Sequence, residues 1–230
     1  MAKKNNSLII LAIVITALIT GLGVYIWQRN AVQTEKENLQ KQIATLEEQV
    51  KTLEKQVDTL PKNPQGQVLA RANEVLLLLH NKDLDKLAAY IHPDKGVRFS
   101  PYAYVDPQKD LIFTAEQIKK AFSDQKEYVW GNYDGTGDPI KLSFEGYFRK
   151  FIYDVEFINA REISYNHPLG KGNTINNATE VYPNANIVEY HFPGIDPKYE
   201  GMDWRSLRLV FEEKDSNWYL VGIVHDQWTI

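Results

Sequence analysis

The residues able to do chemistry in this chain are five histidines and a scatter of carboxylates; cysteine is absent. His225 and Asp226 sit side by side near the carboxyl end, in an apolar run from Trp218 to Trp228 that reads as a strand. Side chains alternate along a strand. Tyr219, Val221, Ile223, His225 and Gln227 are thus expected on one face, with Trp218, Leu220, Gly222, Val224, Asp226 and Trp228 on the other. His225 and Asp226 point apart and cannot form one dyad. Either could act as a general base only with a partner from elsewhere in the fold. His191 shares a face with Ile187 and Glu189 on another strand, and His92, His191 and His225 could converge in space. No HxxxH or HExxH spacing accompanies them, so no metal site is expected.

Arg98, Tyr102, Tyr104 and Trp130, together with His191 and His225, are the polar and aromatic candidates for holding a ligand. The same residues would serve equally as core and rim, because large aromatic side chains dominate packing. Asp134-Gly135-Thr136-Gly137-Asp138, followed by Glu145, has the look of a calcium loop. It carries Pro139 where such a loop needs its turning glycine. Gly170-Lys171-Gly172 lacks the strand-to-helix setting of a phosphate loop, and Asn177-Ala178-Thr179 is a chance-level glycosylation pattern. No nucleophile elbow is present. Nothing calls for a cofactor, and the lack of cysteine excludes thiolate metal sites, disulfides and a cysteine nucleophile.

Residues 67–230 must position these groups. Gln67 to Asn81 and Asp83 to Tyr90 read as helices, and His92 to Gly96 as a turn. Val97 to Tyr104 reads as extended. Thr114 opens a capping box for a helix through Phe122. Gly131 to Pro139 is a loop, and Ser143 to Phe151 a helix burying Phe144, Tyr147, Phe148 and Phe151. Ile187 to Phe192, Leu207 to Glu212 and Trp218 to Trp228 are strands, the last two joined as a hairpin. Helices first and strands last imply an α+β fold. The net charge of −4 over 230 residues argues against a nucleic-acid partner.

Ahead of this region, Leu8 to Trp27 carries no charge and is long enough to cross a hydrocarbon core of ~30 Å. Bulky Val24-Tyr25-Ile26-Trp27 stands where a signal peptidase needs small residues, which favours an uncleaved anchor. Lys3 and Lys4 bias residues 1–7 toward the cytoplasm, placing the rest outside. Across residues 28–60, Leu39, Ile43, Leu46, Val50, Leu53, Val57 and Leu60 follow a 4-3 spacing. β-Branched residues at a and leucine at d favour a parallel two-stranded coil, hence a homodimer. Pro61, Pro64 and Gly66 are expected to end this stalk and form a linker over 61–66.

The segments LLLLHNKDLDKLAAYIHP, GVRFSPYAYV and LRLVFEEKDSNWYLVGIVHDQWTI resemble the NTF2-like (SnoaL-like) superfamily. WGNYDGTGDPIKLSFEGYFRKFIYD is similar to a segment of exported bacterial members of that group. The resemblance implies an NTF2-like cone, with N-terminal helices against a curved antiparallel sheet and a pocket inside. Some enzymes of the superfamily use a pocket His or Asp for proton transfer, which His225 matches in position. Fold alone does not choose among its functions. The expected role is binding or assembly at a bacterial cell envelope, with a small ligand or an envelope protein as partner. The alternatives are an enzyme using His225 or Asp226, and a structural dimeric adaptor whose cone is filled by side chains.

Overall fold

The computed structural model describes residues 22, 28–30, 32–53 and 63–229. The chain divides at Pro61 into two units. In the first, residues 32–53 form helix α1. Its 4-3 series Val32, Leu39, Ile43, Leu46, Val50 and Leu53 is exposed along the helix, each residue at 53% or more. Such a stripe is left for a partner or solvent. Among the described residues no helix is long and apolar enough to cross a membrane. The expected span Leu8 to Trp27 lies outside them except for Leu22, as do Val57 and Leu60 of the heptad series.

The second unit is a mixed α+β domain. Helix α2 (Pro64–His80) opens with Asn63 as its cap and proline in its first turn. The expected linker over 61–66 is therefore shorter, because Pro64, whose missing N–H is harmless at a helix start, begins a helix. Val68, Ala72, Val75, Leu76 and Leu79 form its buried stripe. Helix α3 (Leu84–Leu87) and a 3-10 turn over Ala88–Tyr90 follow. In the turn after them Gly96 adopts φ +68°, and a Cβ there would lie 2.6 Å from the Phe113 carbonyl oxygen.

The strands are β1 (Val97–Ser100), β2 (Leu111–Phe113), β3 (Glu127–Asn132), β4 (Pro139–Ser143), β5 (Glu162–Tyr165), β6 (Asn186–Phe192), β7 (Arg205–Lys214) and β8 (Asn217–Gln227). Six form one curved sheet in the order β2-β1-β8-β7-β6-β5, and β3 pairs with β4 in a separate hairpin. The sheet is not wholly antiparallel as expected, since β1 runs parallel to β8. Helix α4 (Ala115–Lys120) starts at the capping box of Thr114 and Gln117. Helix α5 (Phe144–Tyr147) continues as a π-turn over Phe148–Ile152, and α6 (Ala178–Val181) precedes β6.

Helices and sheet enclose a core filled by aromatic rings. Trp130 stacks on Tyr147 at 3.9 Å between centroids, and Phe99 stands edge-on to Phe113, Trp130, Phe144 and Tyr147. The pocket expected inside the cone is replaced by these side chains. A bulge governs which residues reach them. Val210 pairs with Gly222 and Phe211 with Leu220, leaving Val221 as the extra residue on β8. A bulge restarts the alternation. Trp218 and Leu220 thus join Ile223 in the core, while Val221 and Val224 belong to a smaller cluster with Val105, Tyr182, Ile187 and Val210. Strict alternation put Trp218 and Leu220 on the Asp226 side; the inserted residue reverses them.

Deleting Val221 should keep a cooperative thermal unfolding transition, because plain alternation through Leu220, Gly222 and Ile223 still sends Trp218 and Leu220 into the core with the same strand pairs, and only the packing of Val221 in the smaller cluster is lost. Val221→Ala, which keeps the bulge, should cost only roughly 1–3 kcal/mol in denaturant titration.

Candidate functional site

The three central strands bring five polar side chains together on the sheet face that turns away from the aromatic core. On β6, Val188 and Tyr190 enter the core while Glu189 and His191 face the other way; on β7, Leu207 and Leu209 enter while Ser206 and Arg208 do not. Register sets Glu189 opposite Arg208, and places His191, Ser206 and Asp226 in one row across β6, β7 and β8. All five are buried, Arg208 at 1% exposure.

Charge at that depth must be paired. Arg208 Nε donates to Glu189 Oε2 at 3.0 Å and Nη2 to Glu189 Oε1 at 3.2 Å. Nη2 also lies 2.9 Å from Asp226 Oδ2 and donates to the Gly170 carbonyl. The Leu169 and Gly170 amides donate to the Glu189 carboxylate at 3.0 and 2.9 Å. Burial alone would raise Glu189, but the Arg208 charge, the Ser206 hydroxyl and these two amides hold it below the ordinary carboxylate range. For Asp226 burial outweighs Arg208, and its pKa is raised. Gly170 allows this closeness: a Cβ there would lie 2.6 Å from both Ser206 Oγ and the Trp204 ring.

Ser206 Oγ donates to Glu189 Oε1 at 2.6 Å and lies 2.8 Å from His191 Nδ1. An ionised Glu189 can only accept, so the serine proton points to it and His191 Nδ1–H donates to the serine oxygen. That order is the reverse of an activated serine, in which histidine takes the proton. Burial lowers the His191 pKa and keeps the ring neutral. The row is a structural relay.

Segment 166–179 covers this cluster and leaves a cavity of about 390 Å³, with Glu189, Arg208 and Asp226 on its floor and Pro168, Ala178 and Ile187 among its walls. Arg208 Nη1 is buried without a hydrogen-bond partner. Asn177 anchors the cover: its side-chain oxygen accepts from the Val105 amide at 2.7 Å and its amide group donates to the Val105 carbonyl at 2.9 Å. Both ends of the group are engaged, which removes Asn177 as a glycosylation acceptor in the folded chain. A second cavity of about 310 Å³ is lined by Tyr102, Tyr104, Tyr133, Asp106, Asp110 and Asp134, and Thr174 borders both. Burial pushes Asp110 up to about 6 despite donors from Ser100 and the Asp106 amide.

The structure separates the residues singled out from sequence. His225 is fully buried on the core side, edge-on to Phe151, with Nδ1 3.3 Å from the Pro101 carbonyl and Nε2 3.3 Å from Asp154 Oδ1. Asp226 lies on the opposite face, in the Arg208 cluster. Trp130 is fully buried and donates its indole N–H to the Leu142 carbonyl. Arg98 holds the following loop through the carbonyls of Asp106, Pro107 and Asp110. Tyr102 and Tyr104 line the second cavity. His92 sits against Tyr219 at the far end of β8 from His225, so the three histidines do not converge. Among the described residues no group of histidines and carboxylates could hold a metal ion.

Sequence reading passed over Glu189 as a partner, Ser206 and Arg208. The signal was a charge inside an apolar strand run, Arg208 between Leu207 and Leu209 and Glu189 between Val188 and Tyr190. Comparison with protein-family profiles, curated proteins and solved structures returns no match.

Glu189→Ala should destabilise the fold by about 3–5 kcal/mol, since it leaves a buried guanidinium under-paired; chemical denaturation measures it. Asp110 keeps its proton to about pH 6 in the folded chain, whereas unfolded aspartate releases it near ~3.9. Between these values the folded state binds more protons, so this group's contribution to stability falls as pH rises. Asp110→Asn should therefore gain stability relative to the parent between pH 4 and 6 and hold that gain above, read from denaturation midpoints.

Proposed function

We propose that this chain is a membrane-anchored, ligand-binding protein of a bacterial cell envelope, its α+β domain carried outside the cytoplasm on a self-associating helix. The observation that carries the binding role is a cavity of about 390 Å³, large enough for a small molecule and lined by the buried Glu189, Arg208 and Asp226 together with polar and apolar residues of segment 166–179. The helix-first order and the C-terminal strands wrapped round an aromatic core support an NTF2-like assignment for the domain. The uncharged run Leu8 to Trp27 supports the anchor, and the exposed 4-3 stripe on α1 supports a parallel homodimer.

The enzyme reading loses His225 as a base, since that ring is sealed beneath Phe151 and lines neither cavity described above, and keeps Asp226, which lines the Arg208 cavity but is paired with Arg208. The adaptor reading is favoured by one observation, the filled interior. The binding and adaptor readings part over whether the Arg208 cavity takes a ligand.

Mass spectrometry under native conditions tests that on the full chain purified in detergent. A co-purifying small molecule should be retained by the parent and lost from Thr179→Trp, which plugs the cavity from an exposed position on its rim. No retained molecule would favour the adaptor. The display arrangement is tested separately. Leu46→Asp with Leu53→Asp should abolish cross-linked dimers of the full chain, and protease added to intact cells should remove residues 67–230. Undiminished dimers or a fully protected domain would overturn the corresponding half of the arrangement.

A further inference from the structure

The second cavity, of about 310 Å³, stands on a pinned loop. Asn177 holds both the amide and the carbonyl of Val105, and Arg98 gathers the carbonyls of Asp106, Pro107 and Asp110. Tyr104 immediately precedes these anchors. Its ring is 50% exposed and belongs to neither hydrophobic cluster. Tyr102 and Tyr133, which lean on Phe151 of the core, complete an aromatic lining. A large ring carried outside the core on a fixed backbone can be covered by a ligand at little ordering cost.

The polar groups around these rings are accessible and only partly engaged. Asp106 takes the amides of Gln108 and Lys109 on Oδ1, and Lys109 Nζ lies 3.6 Å from its Oδ2. Asp134 takes the Gly135 amide on Oδ1 and the Thr174 hydroxyl on Oδ2. A carboxylate oxygen accepts two hydrogen bonds, so Asp106 Oδ2 and both Asp134 oxygens keep acceptor sites. Donors are present too. Lys109 is exposed, and the Tyr133 oxygen accepts from Lys150 Nζ at 3.1 Å, which leaves its O–H to donate.

Charges of both signs meet here. Asp106, Asp110 and Asp134 are answered by Lys109 in the lining, by Arg98 at the Asp110 carbonyl and by Lys150 on Tyr133. Net charge therefore selects neither an anion nor a cation. A ligand cation would also compete for Tyr133 with Lys150, whose Nζ already lies 4.3 Å from the ring centroid. Selection falls to shape and hydrogen bonding: an apolar face to lay on a ring, edged by groups that both donate and accept. A pyranose with equatorial hydroxyls has that form, since its axial C–H bonds make the faces and its hydroxyls the edge.

We infer that this cavity is a carbohydrate site, separate from the one over Arg208, which seats one neutral gluco-configured ring against Tyr104 while Asp106 and Asp134 accept from its hydroxyls. The volume is at the small end of ligand sites, which run from ~300 to 1,000 Å³, and suits a single ring. Exposed Tyr104, Asn132 and Asp134 leave the mouth open to the rest of an oligosaccharide. The site does not depend on the Arg208 cavity taking a ligand.

Ligand-observed NMR on the full chain, in a detergent without a sugar headgroup, tests this with cellotriose, using tetramethylammonium and acetate as charged probes. Cellotriose should bind saturably with a Kd of about 1 mM or tighter, and each ion about tenfold or more weakly. Tyr104→Ala should weaken cellotriose by about tenfold and keep the thermal unfolding transition, whereas Tyr104→Phe should bind like the parent. Asp134→Asn should weaken it by about threefold to tenfold. Thr179→Trp, in the other cavity, should leave it unchanged. No binding of cellotriose, undiminished binding to Tyr104→Ala, or tighter binding of either ion would overturn the inference. Cellotriose lost from Thr179→Trp but not from Tyr104→Ala would overturn this site and support ligand binding over Arg208 instead.

Discussion

A guanidinium held at 1% exposure between two leucines of a central strand is the constraint around which one face of this domain is organised. Arg208 cannot lose its charge, so the fold must bring counter-charge to it. Glu189 arrives from the next strand by register, and Asp226 from the strand beyond. Two carboxylates against one guanidinium are more charge than the site needs. The amides of Leu169 and Gly170 share both Glu189 oxygens with Arg208, so segment 166–179 lies over the cluster and a residue without Cβ stands at 170. Cover, glycine and cavity all trace to one buried cation.

The opposite face is governed by volume, not charge. Phe99, Phe144, Phe148, Phe151, Trp130 and Tyr147 are each at most 1% exposed and fill the space between helices and sheet. Rings meeting edge to face leave little void, and interiors so packed admit no ligand without rearrangement. The cavity over Arg208 lies on the other side of the sheet, beneath segment 166–179. The bulge at Val221 joins the two faces, since it turns Trp218 and Leu220 toward the rings while Asp226 stays with Arg208.

How far these features could be read from the chain depends on the range of the interaction that makes them. The stripe of α2, the capping box of Thr114 and Gln117, the turn at Gly96 and the β7–β8 hairpin follow from neighbours within a few residues, and each stands where the pattern put it. So does the divergence of His225 and Asp226, because the two follow the bulge and simple alternation holds between them. Strands β2, β3, β4 and β5 escaped notice. They are short and mostly half-exposed, and their pairing partners, not their own composition, make them strands.

The sequence alone determined what local chemistry can: the helix-then-strand order, an uncharged N-terminal run of spanning length, a 4-3 apolar series, and the absence of any cysteine chemistry. Only the tertiary structure decided that Glu189, Arg208 and Asp226, far apart along the chain, occupy one buried cluster, that His225 is sealed from it, and that the open cavity lies outside the aromatic core. The reason is physical. Periodicity tells which residues share a face of one element, whereas strand order, register and a single inserted residue decide which faces meet.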